Sequence, residues 1–495
     1  MTERERLELY TSIVPSERQK MFENQPFNVF IHFGTTTFTR KEWGDGTFPP
    51  EKFNPKKLDT DQWCESIKQS GATGIILTCK HHDGFCLWQT KTTEYSIKNS
   101  PYKNGKGDIV KELSDSCRKY GLKFGVYLSP WDRNSEYYST PKYNDFYIEQ
   151  LKELLTNYGD IYCVWLDGAC GSHLDGKPKQ VYDFPRIYKT VYELSPTAVV
   201  SNCGPDVRWV GNEAGVARES EWNVVPKFAF DVQSIEKNSQ QEDDDKFKKK
   251  TYDVIQSDLG SREFIKDFDE FTWYPAEVDV SIRPRWFYHK GDDRKVRSLN
   301  NLLHIYNTSV GGNSLLLLNI PPNRDGLIHE KDVKRLKELG DAIRLAESAP
   351  VTPAKLAAPQ ELDGNVIENV TKDDESYYTP SEENDNYTIN IDFGKSVEID
   401  RVYLKEQCDF SQRIETFEIY AKTDDGEKLV YNGTTVGLNR YAVFNEKVKA
   451  NGIKIVITSC RLRPYIMRIQ AYEAKGIIPK KSLATRIAEF IHRRK

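Results

Sequence analysis

Residues 161–168 read IYCVWLDG: six mostly apolar residues, then an aspartate and a glycine. A run this short and this continuously apolar fits a strand buried on both faces, as in a parallel sheet. Similar runs surround it. FNVFIHF at 27–33, GIILT at 74–78 and FGVYL at 124–128 come before it, and a fifth strand at 198–201 follows. Between them lie segments with helical spacing at 60–70, 108–120, 146–155 and 187–194; the second has apolar residues at Ile109, Val110, Leu113 and Cys117. A strand within 271–280, a helix over 296–306, a strand at 314–320 (SLLLLNI) and a helix after Ile328 extend the alternation. Strand then helix, repeated, predicts a parallel sheet, and the number of units fits an α/β chain with a (β/α)8-type barrel better than an open sheet. No G-x-G-x-x-G follows the first strand, which weakens a dinucleotide-binding alternative.

From Pro350 the texture changes. Alternating runs at 387–393, 399–404, 414–421, 428–431, 441–444 and 452–458 are separated by turn residues, the pattern of an antiparallel β-sandwich. The expected division is a (β/α)8-like domain over 1–348, a sandwich over 349–475, and a basic tail over 476–495 that reads as an amphipathic helix or a loose end.

Composition narrows the function classes. The 495 residues are 38% hydrophobic and 29% charged with net charge −4, a globular balance without the basic footprint of a nucleic-acid binder. The basic runs at 248–250 and 480–481 are short and read as solvated. No apolar stretch is long enough to span a membrane, and the charged first ten residues do not form a signal peptide; a trimmed signal would leave the same sequence, so the compartment stays open. Nine cysteines lack C-x-x-C pairing and metal-ligand spacing; Cys64, Cys79, Cys86, Cys117, Cys163 and Cys203 lie mostly in apolar surroundings and read as buried thiols. Aromatics make up 12% of the chain, a mild pointer to sugar binding.

A parallel barrel builds its active site at the C-terminal ends of its strands. Those ends carry His32-Phe33-Gly34, Lys80-His81-His82-Asp83-Gly84, Tyr127-Leu128-Ser129-Pro130-Trp131-Asp132 and Trp165-Leu166-Asp167-Gly168; a loop after the fifth strand holds Trp209-Val210-Gly211-Asn212-Glu213. Three of the eight histidines fall on two of these ends. A lone histidine there is commonly structural and a lone aspartate commonly caps the next helix. Adjacent His81 and His82 also admit a metal, although no other His or Cys has ligand spacing. Together the five sites describe a polar pocket with aromatic walls.

KHHDGF at 80–85 with Trp88, HFG at 32–34, WLDG at 165–168 and NIPPNRDG at 319–326 resemble, in order, the signature of glycoside hydrolase family 29, the α-L-fucosidases. The resemblance covers residues 25–345 and implies a retaining mechanism without a cofactor. YLSPWDRN at 127–134 and WVGNEAG at 209–215 resemble the subgroup acting on α-1,3/1,4-linked fucose of Lewis-type oligosaccharides or glycoprotein glycans.

The resemblance, joined to the chemistry of retaining glycosidases, which need a nucleophile and an acid about 5–5.5 Å apart, assigns roles. Asp167 is the expected nucleophile and Glu213 the expected acid/base, with Glu219 and Glu221 as rivals. The Glu213 carboxyl is expected to have a raised pKa from a neighbouring carboxylate. His32, His81 and His82 are expected to bond fucose hydroxyls, Glu42 and Trp43 to complete the pocket, Tyr127 to support Asp167, and Trp131 and Trp286 to wall the ring and its C6 methyl. The sandwich resembles a galactose-binding-like, carbohydrate-binding module through YNGT at 431–434 and TSCR at 458–461, although packing against the barrel is the simpler role. The alternatives are a broad-specificity fucosidase, another barrel glycosidase such as an α-galactosidase, a metal-dependent hydrolase, and a non-catalytic lectin. The oligomeric state is not readable.

Overall fold

A computed structural model describes residues 1–39, 41–168, 179–227, 258–384 and 386–480. The basic run at 248–250 and most of the expected tail, 481–495, lie outside the described residues.

The first part contains strands β1 (Phe27–Ile31), β2 (Gly74–Lys80), β3 (Lys123–Leu128), β4 (Ile161–Leu166), β5 (Val199–Asn202), β6 (Val207–Trp209), β7 (Val224–Pro226), β8 (Phe271–Trp273), β9 (Ala276–Ser281) and β10 (Leu315–Asn319). Eight of them close a parallel barrel in the order β1-β10-β9-β6-β5-β4-β3-β2. The strands are apolar on both faces because both are covered. Phe30, Ile76, Cys163, Val199, Val207, Leu315 and Leu317 fill one cluster, while their chain neighbours Val29, Ile31, Ile75, Leu77, Val164, Val200, Leu316 and Leu318 join the core shared with the helices.

Helices α1 (Glu3–Thr11) and α2 (Glu17–Glu23) precede β1. The barrel helices are α3 (Thr60–Gln69) after β1, α4 (Ile109–Tyr120) after β2, α5 (Lys142–Asn157) after β3 and α6 (Phe184–Leu194) after β4; α7 (Arg262–Ile265) is a single turn, and α8 (Leu299–Ser309) and α9 (Glu330–Glu347) follow β9 and β10. Their ends follow local chemistry. Asp108 accepts from the Lys111 amide at the start of α4, and Gly121, at φ +69°, ends it in the left-handed conformation that glycine adopts without strain.

Two expectations need correction. The stretch after β5 is not all loop. Residues 203–206 turn directly into β6, so Trp209 ends a barrel strand and is not part of a loop. Asn202 takes φ +66°, a Cβ on Gly204 would stand 2.4 Å from the Val200 carbonyl oxygen, and Asp206 accepts from the Val200 amide. Likewise the segment 271–280 holds two strands. Tyr274-Pro275 breaks it into β8, which pairs with β7 outside the barrel, and β9 within it.

The second part is antiparallel, matching the expected sandwich class: β11 (Lys355–Ala357), β12 (Tyr387–Glu406), β13 (Ile414–Thr423), β14 (Gly426–Gly433), β15 (Arg440–Cys460) and β16 (Ile466–Glu473), ordered β11-β12-β15-β13-β14 with β16 on β12. The six expected runs merge where polar residues imitate turns: 387–393 and 399–404 are one strand, as are 441–444 and 452–458. Register shifts between Asp392 and Val397 and between Ile399 and Arg401 let β12 bend without ending. The inner faces share a core that includes Ile389, Val402, Phe417, Ile419, Phe444, Ile455 and Ile469.

A third cluster joins the parts: Tyr10 of α1, Trp222, Val224, Val225, Ile265, Phe271 and Trp273 pack with Cys408 of the sandwich. The eight described cysteines are buried thiols. Among the described residues no helix is long and apolar enough to cross a membrane.

Candidate active site

The strand ends converge on one aromatic box. His32, one residue beyond β1, packs at ring-centroid distances of 5.8 Å on His81, 6.0 Å on Tyr127 and 5.1 Å on Trp286. His81 and His82, just beyond β2, lie 4.0 Å apart. His82 packs at 5.0 Å on Trp131, and Trp43 closes the corner at 5.2 Å from His82 and 5.8 Å from Trp131. Seven of the ten residues expected from the sequence form this box, and the other three, Glu42, Asp167 and Glu213, are hydrogen-bonded to it.

The imidazoles are buried, and burial lowers their basicity: His32 to about 3, His82 to about 4 against the pull of Asp167, and His81 well below its ordinary value. Near neutral pH they are uncharged. Their tautomers follow from their partners. Asn319 spends both amide hydrogens on Ser281 Oγ and the Trp286 carbonyl, so its Oδ1 accepts from His32 Nδ1 at 2.9 Å. Ser129 donates to the Trp131 carbonyl and therefore accepts from His82 Nδ1 at 2.8 Å. Each ring is left with an unprotonated Nε2, an acceptor for a hydroxyl. Among the described residues His81 Nδ1 finds no hydrogen-bond partner, and it is buried. Neutral acceptors within aromatic walls suit a polyhydroxylated ligand with an apolar face.

Asp167 follows β4. Tyr127 donates to its Oδ2 at 2.8 Å, and His82 Nε2 lies 3.7 Å from the same oxygen. Glu213 stands on the loop after β6, and the Trp286 indole donates to its Oε2 at 3.0 Å. The backbone N–H of Trp286 donates to Glu42 at 2.8 Å. Asn212 stiffens the Glu213 loop by accepting from the amides of Ala214 and Val216 and donating to the Val216 carbonyl.

Of the two rivals, Glu221 holds its carboxylate in a buried ion pair with Arg208 and Arg218; burial opposes its charge, but the two guanidiniums outweigh that and hold its pKa below the ordinary value. Glu219 lies where the backbone meets the second domain, its carbonyl accepting from Thr434.

Sequence reasoning missed two carboxyls on β9. Asp279 accepts from the Trp209 indole at 2.7 Å; its burial, with the charge of Glu213 added, raises it well above the usual range. Asp279 therefore interacts with Glu213, and it was not among the expected site residues. Glu277 accepts from Trp165 at 2.7 Å and Ser201 at 3.2 Å, and burial lifts it to about 7. Lys80 opens the KHHDGF motif. It is wholly buried and binds Asp132 at 3.0 Å and Gln150 at 2.9 Å, bracing the strand ends beneath His81 and His82. Among the described residues no group of three or more His, Cys, Asp or Glu side chains is arranged to hold a metal ion.

Comparison with known proteins bears on this pocket. A family profile described as alpha-L-fucosidase matches residues 39–346, and one described as F5/8 type C domain matches 354–469. Alpha-L-fucosidase 1 of Arabidopsis thaliana is 38% identical over 475 residues, 93% of this chain and 88% of that protein. The crystal structure of a putative alpha-L-fucosidase from Bacteroides ovatus aligns with TM-score 0.83 and 43% identity, over 97% of this chain and 78% of that one. A Ruminococcus gnavus GH29 fucosidase in complex with fucose aligns with TM-score 0.80 and 30% identity, over 93% of this chain and 95% of that one.

Proposed function

The chain belongs to the α-L-fucosidase family, glycoside hydrolase family 29, and acts on fucosylated glycans; we propose that it is a retaining exo-enzyme that releases terminal α-1,3/1,4-linked fucose from Lewis-type oligosaccharides or glycoconjugates. Asp167 attacks the anomeric carbon while Glu213 protonates the departing oxygen. Glu213 then takes a proton from the water that hydrolyses the fucosyl-enzyme. Tyr127 aims the Asp167 carboxylate. His32 and His82 accept sugar hydroxyls at Nε2, His81 and Glu42 complete the hydroxyl contacts, and Trp43, Trp131 and Trp286 flank the ring and its methyl. The linkage preference rests on the sequences at 127–134 and 209–215.

One observation carries this reading. The two carboxylates belong to a single box: Tyr127, which holds Asp167, packs on His32, which packs on Trp286, which holds Glu213. The test is fucose release from a Lewis-type trisaccharide and an aryl fucoside by wild type, Asp167→Ala and Glu213→Ala, each variant with azide. Both variants should lose trisaccharide hydrolysis. Azide should yield the β-fucosyl azide with Asp167→Ala and the α anomer with Glu213→Ala. Undiminished trisaccharide hydrolysis by Glu213→Ala would refute its role, and equal turnover of α-1,6-linked fucose would refute the linkage preference.

A further inference from the structure

We propose that the second domain is a working part of the fucosidase site: Gln412, Thr434, Thr435 and Arg440 position Glu213 by gripping the return leg of the loop that carries it. The proposal rests on the reading of Glu213 as acid/base.

The loop leaves the barrel at Trp209 and returns to β7 at Val224. Its outgoing leg is fixed within the barrel domain by Asn212 and by Gly215, where an added Cβ would lie 3.0 Å from Ile305. The return leg bonds to the barrel domain through Asn313 and Arg208, which donate to the Glu221 and Trp222 carbonyls at 3.0 Å, and is gripped in addition from outside that domain. Thr434 Oγ1 donates to the Glu219 carbonyl at 2.5 Å, and Arg440 reaches the same oxygen at 3.2 Å. The Glu221 amide donates to Thr435 Oγ1 at 3.1 Å. Gln412 closes the grip, donating to the Glu221 carbonyl at 3.0 Å and accepting from the Asn223 amide at 2.8 Å. Arg440 also donates to the carbonyl and hydroxyl of Thr435, so the gripping residues are cross-tied.

Glu221 transmits the grip. Its backbone is held by the second domain, while its carboxylate binds Arg208, the residue before Trp209, and Arg218 within the loop. Both ends of the loop therefore meet on one buried residue whose backbone the second domain holds together with Asn313. An acid that must meet a leaving oxygen within hydrogen-bond reach is sensitive to small displacements of its support.

Departure of a poor leaving group needs the proton, whereas departure of a good one does not. This separates positioning of Glu213 from general stability. Thr435→Val and Gln412→Leu remove the buried bonds. Thr434→Val removes one at a partly exposed site where valine keeps the volume, and Thr435→Ser restores the hydroxyl. Kinetics are compared on 2,4-dinitrophenyl α-L-fucoside and on a Lewis-type trisaccharide, with Glu213→Ala as reference. We expect kcat/KM on the trisaccharide, which reports formation of the fucosyl-enzyme, to fall tenfold or more in Thr435→Val and Gln412→Leu and severalfold in Thr434→Val. The kcat/KM of the dinitrophenyl substrate, whose departure needs no proton, should change by less than threefold, and Thr435→Ser should stay near wild type on both substrates. Equal losses on both substrates, or none, overturn the proposal provided Glu213→Ala itself discriminates between them. If Glu213→Ala does not discriminate, the acid/base assignment fails instead, and the positioning proposal falls with it.

Discussion

Trp286 and Glu213 meet through a 3.0 Å hydrogen bond from the indole N–H to the carboxylate, and the backbone of the same tryptophan holds Glu42 at 2.8 Å. One residue from the loop after β9 thus fixes carboxylates from two other loops. A donor on a carboxylate favours its charged form, so Trp286 limits how far the Glu213 pKa can rise.

Trp286→Phe keeps the wall and removes that donor. The proton on Glu213 should then be held to higher pH, and the alkaline limb of the kcat/KM profile should move upward. Losing the bond to a charged group should lower kcat/KM at the optimum by roughly tenfold. An unmoved alkaline limb would show that this bond does not tune the acid.

Tyr127→Phe deletes the hydroxyl that donates to Asp167 at 2.8 Å and leaves the ring that packs on His32 and Trp165. A hydrogen bond to a charged group contributes about 1.5–3 kcal/mol. The expected outcome is a drop in kcat on an aryl fucoside of about 10- to 100-fold with the urea midpoint little changed. A rise in KM with kcat unchanged would show that Tyr127 serves binding instead.

The Lys80–Asp132 pair is buried at both ends. Lys80→Met leaves Asp132 charged and unpaired and should cost about 3–5 kcal/mol in urea unfolding. Adding Asp132→Asn removes the stranded charge and should recover part of the loss. A single variant as stable as wild type would contradict this account.

Glu277 supplies a pH prediction with a definite sign. Burial lifts its folded pKa to about 7 from the ordinary 4.5. The folded state therefore binds the extra proton between those values, and this contribution to stability is lost as pH rises through 7. Glu277→Gln needs no proton. Its stability relative to wild type should increase from pH 5 to pH 8 by on the order of 3 kcal/mol, measured as the difference in urea unfolding at the two pH values. A difference independent of pH would mean that Glu277 is ionised in the folded protein.

The sequence exposed the site where a residue type and a strand end coincided. His32, His81, His82 and Asp167 each follow a continuous apolar run, and barrel topology alone brings such ends together. β6 escaped notice because three residues carry no periodicity and its approach, Asn202-Cys203-Gly204-Pro205-Asp206, reads as a turn. Glu277 and Asp279 escaped for a different reason. AEVDVS alternates like a strand with one wet face, yet all six of its residues are buried, with tryptophan indoles meeting both carboxyls. Pairings such as Trp209 with Asp279, or Glu221 with Arg208, depend on how strands and loops register in space, which no linear pattern encodes.

Arg461 of the second domain lies fully buried between the rings of Tyr10 and Trp222, 3.9 and 3.8 Å from their centroids, and binds Glu415 at 2.9 Å. Cutting the chain between its two parts would leave an empty aromatic slot on one fragment and bare a guanidinium on the other. The two parts therefore form one cooperative unit of unfolding, and calorimetry should record a single endotherm. Domain shuffling has little purchase on such a chain: a foreign module joined at residue 350 would fold beside the barrel without seating against it.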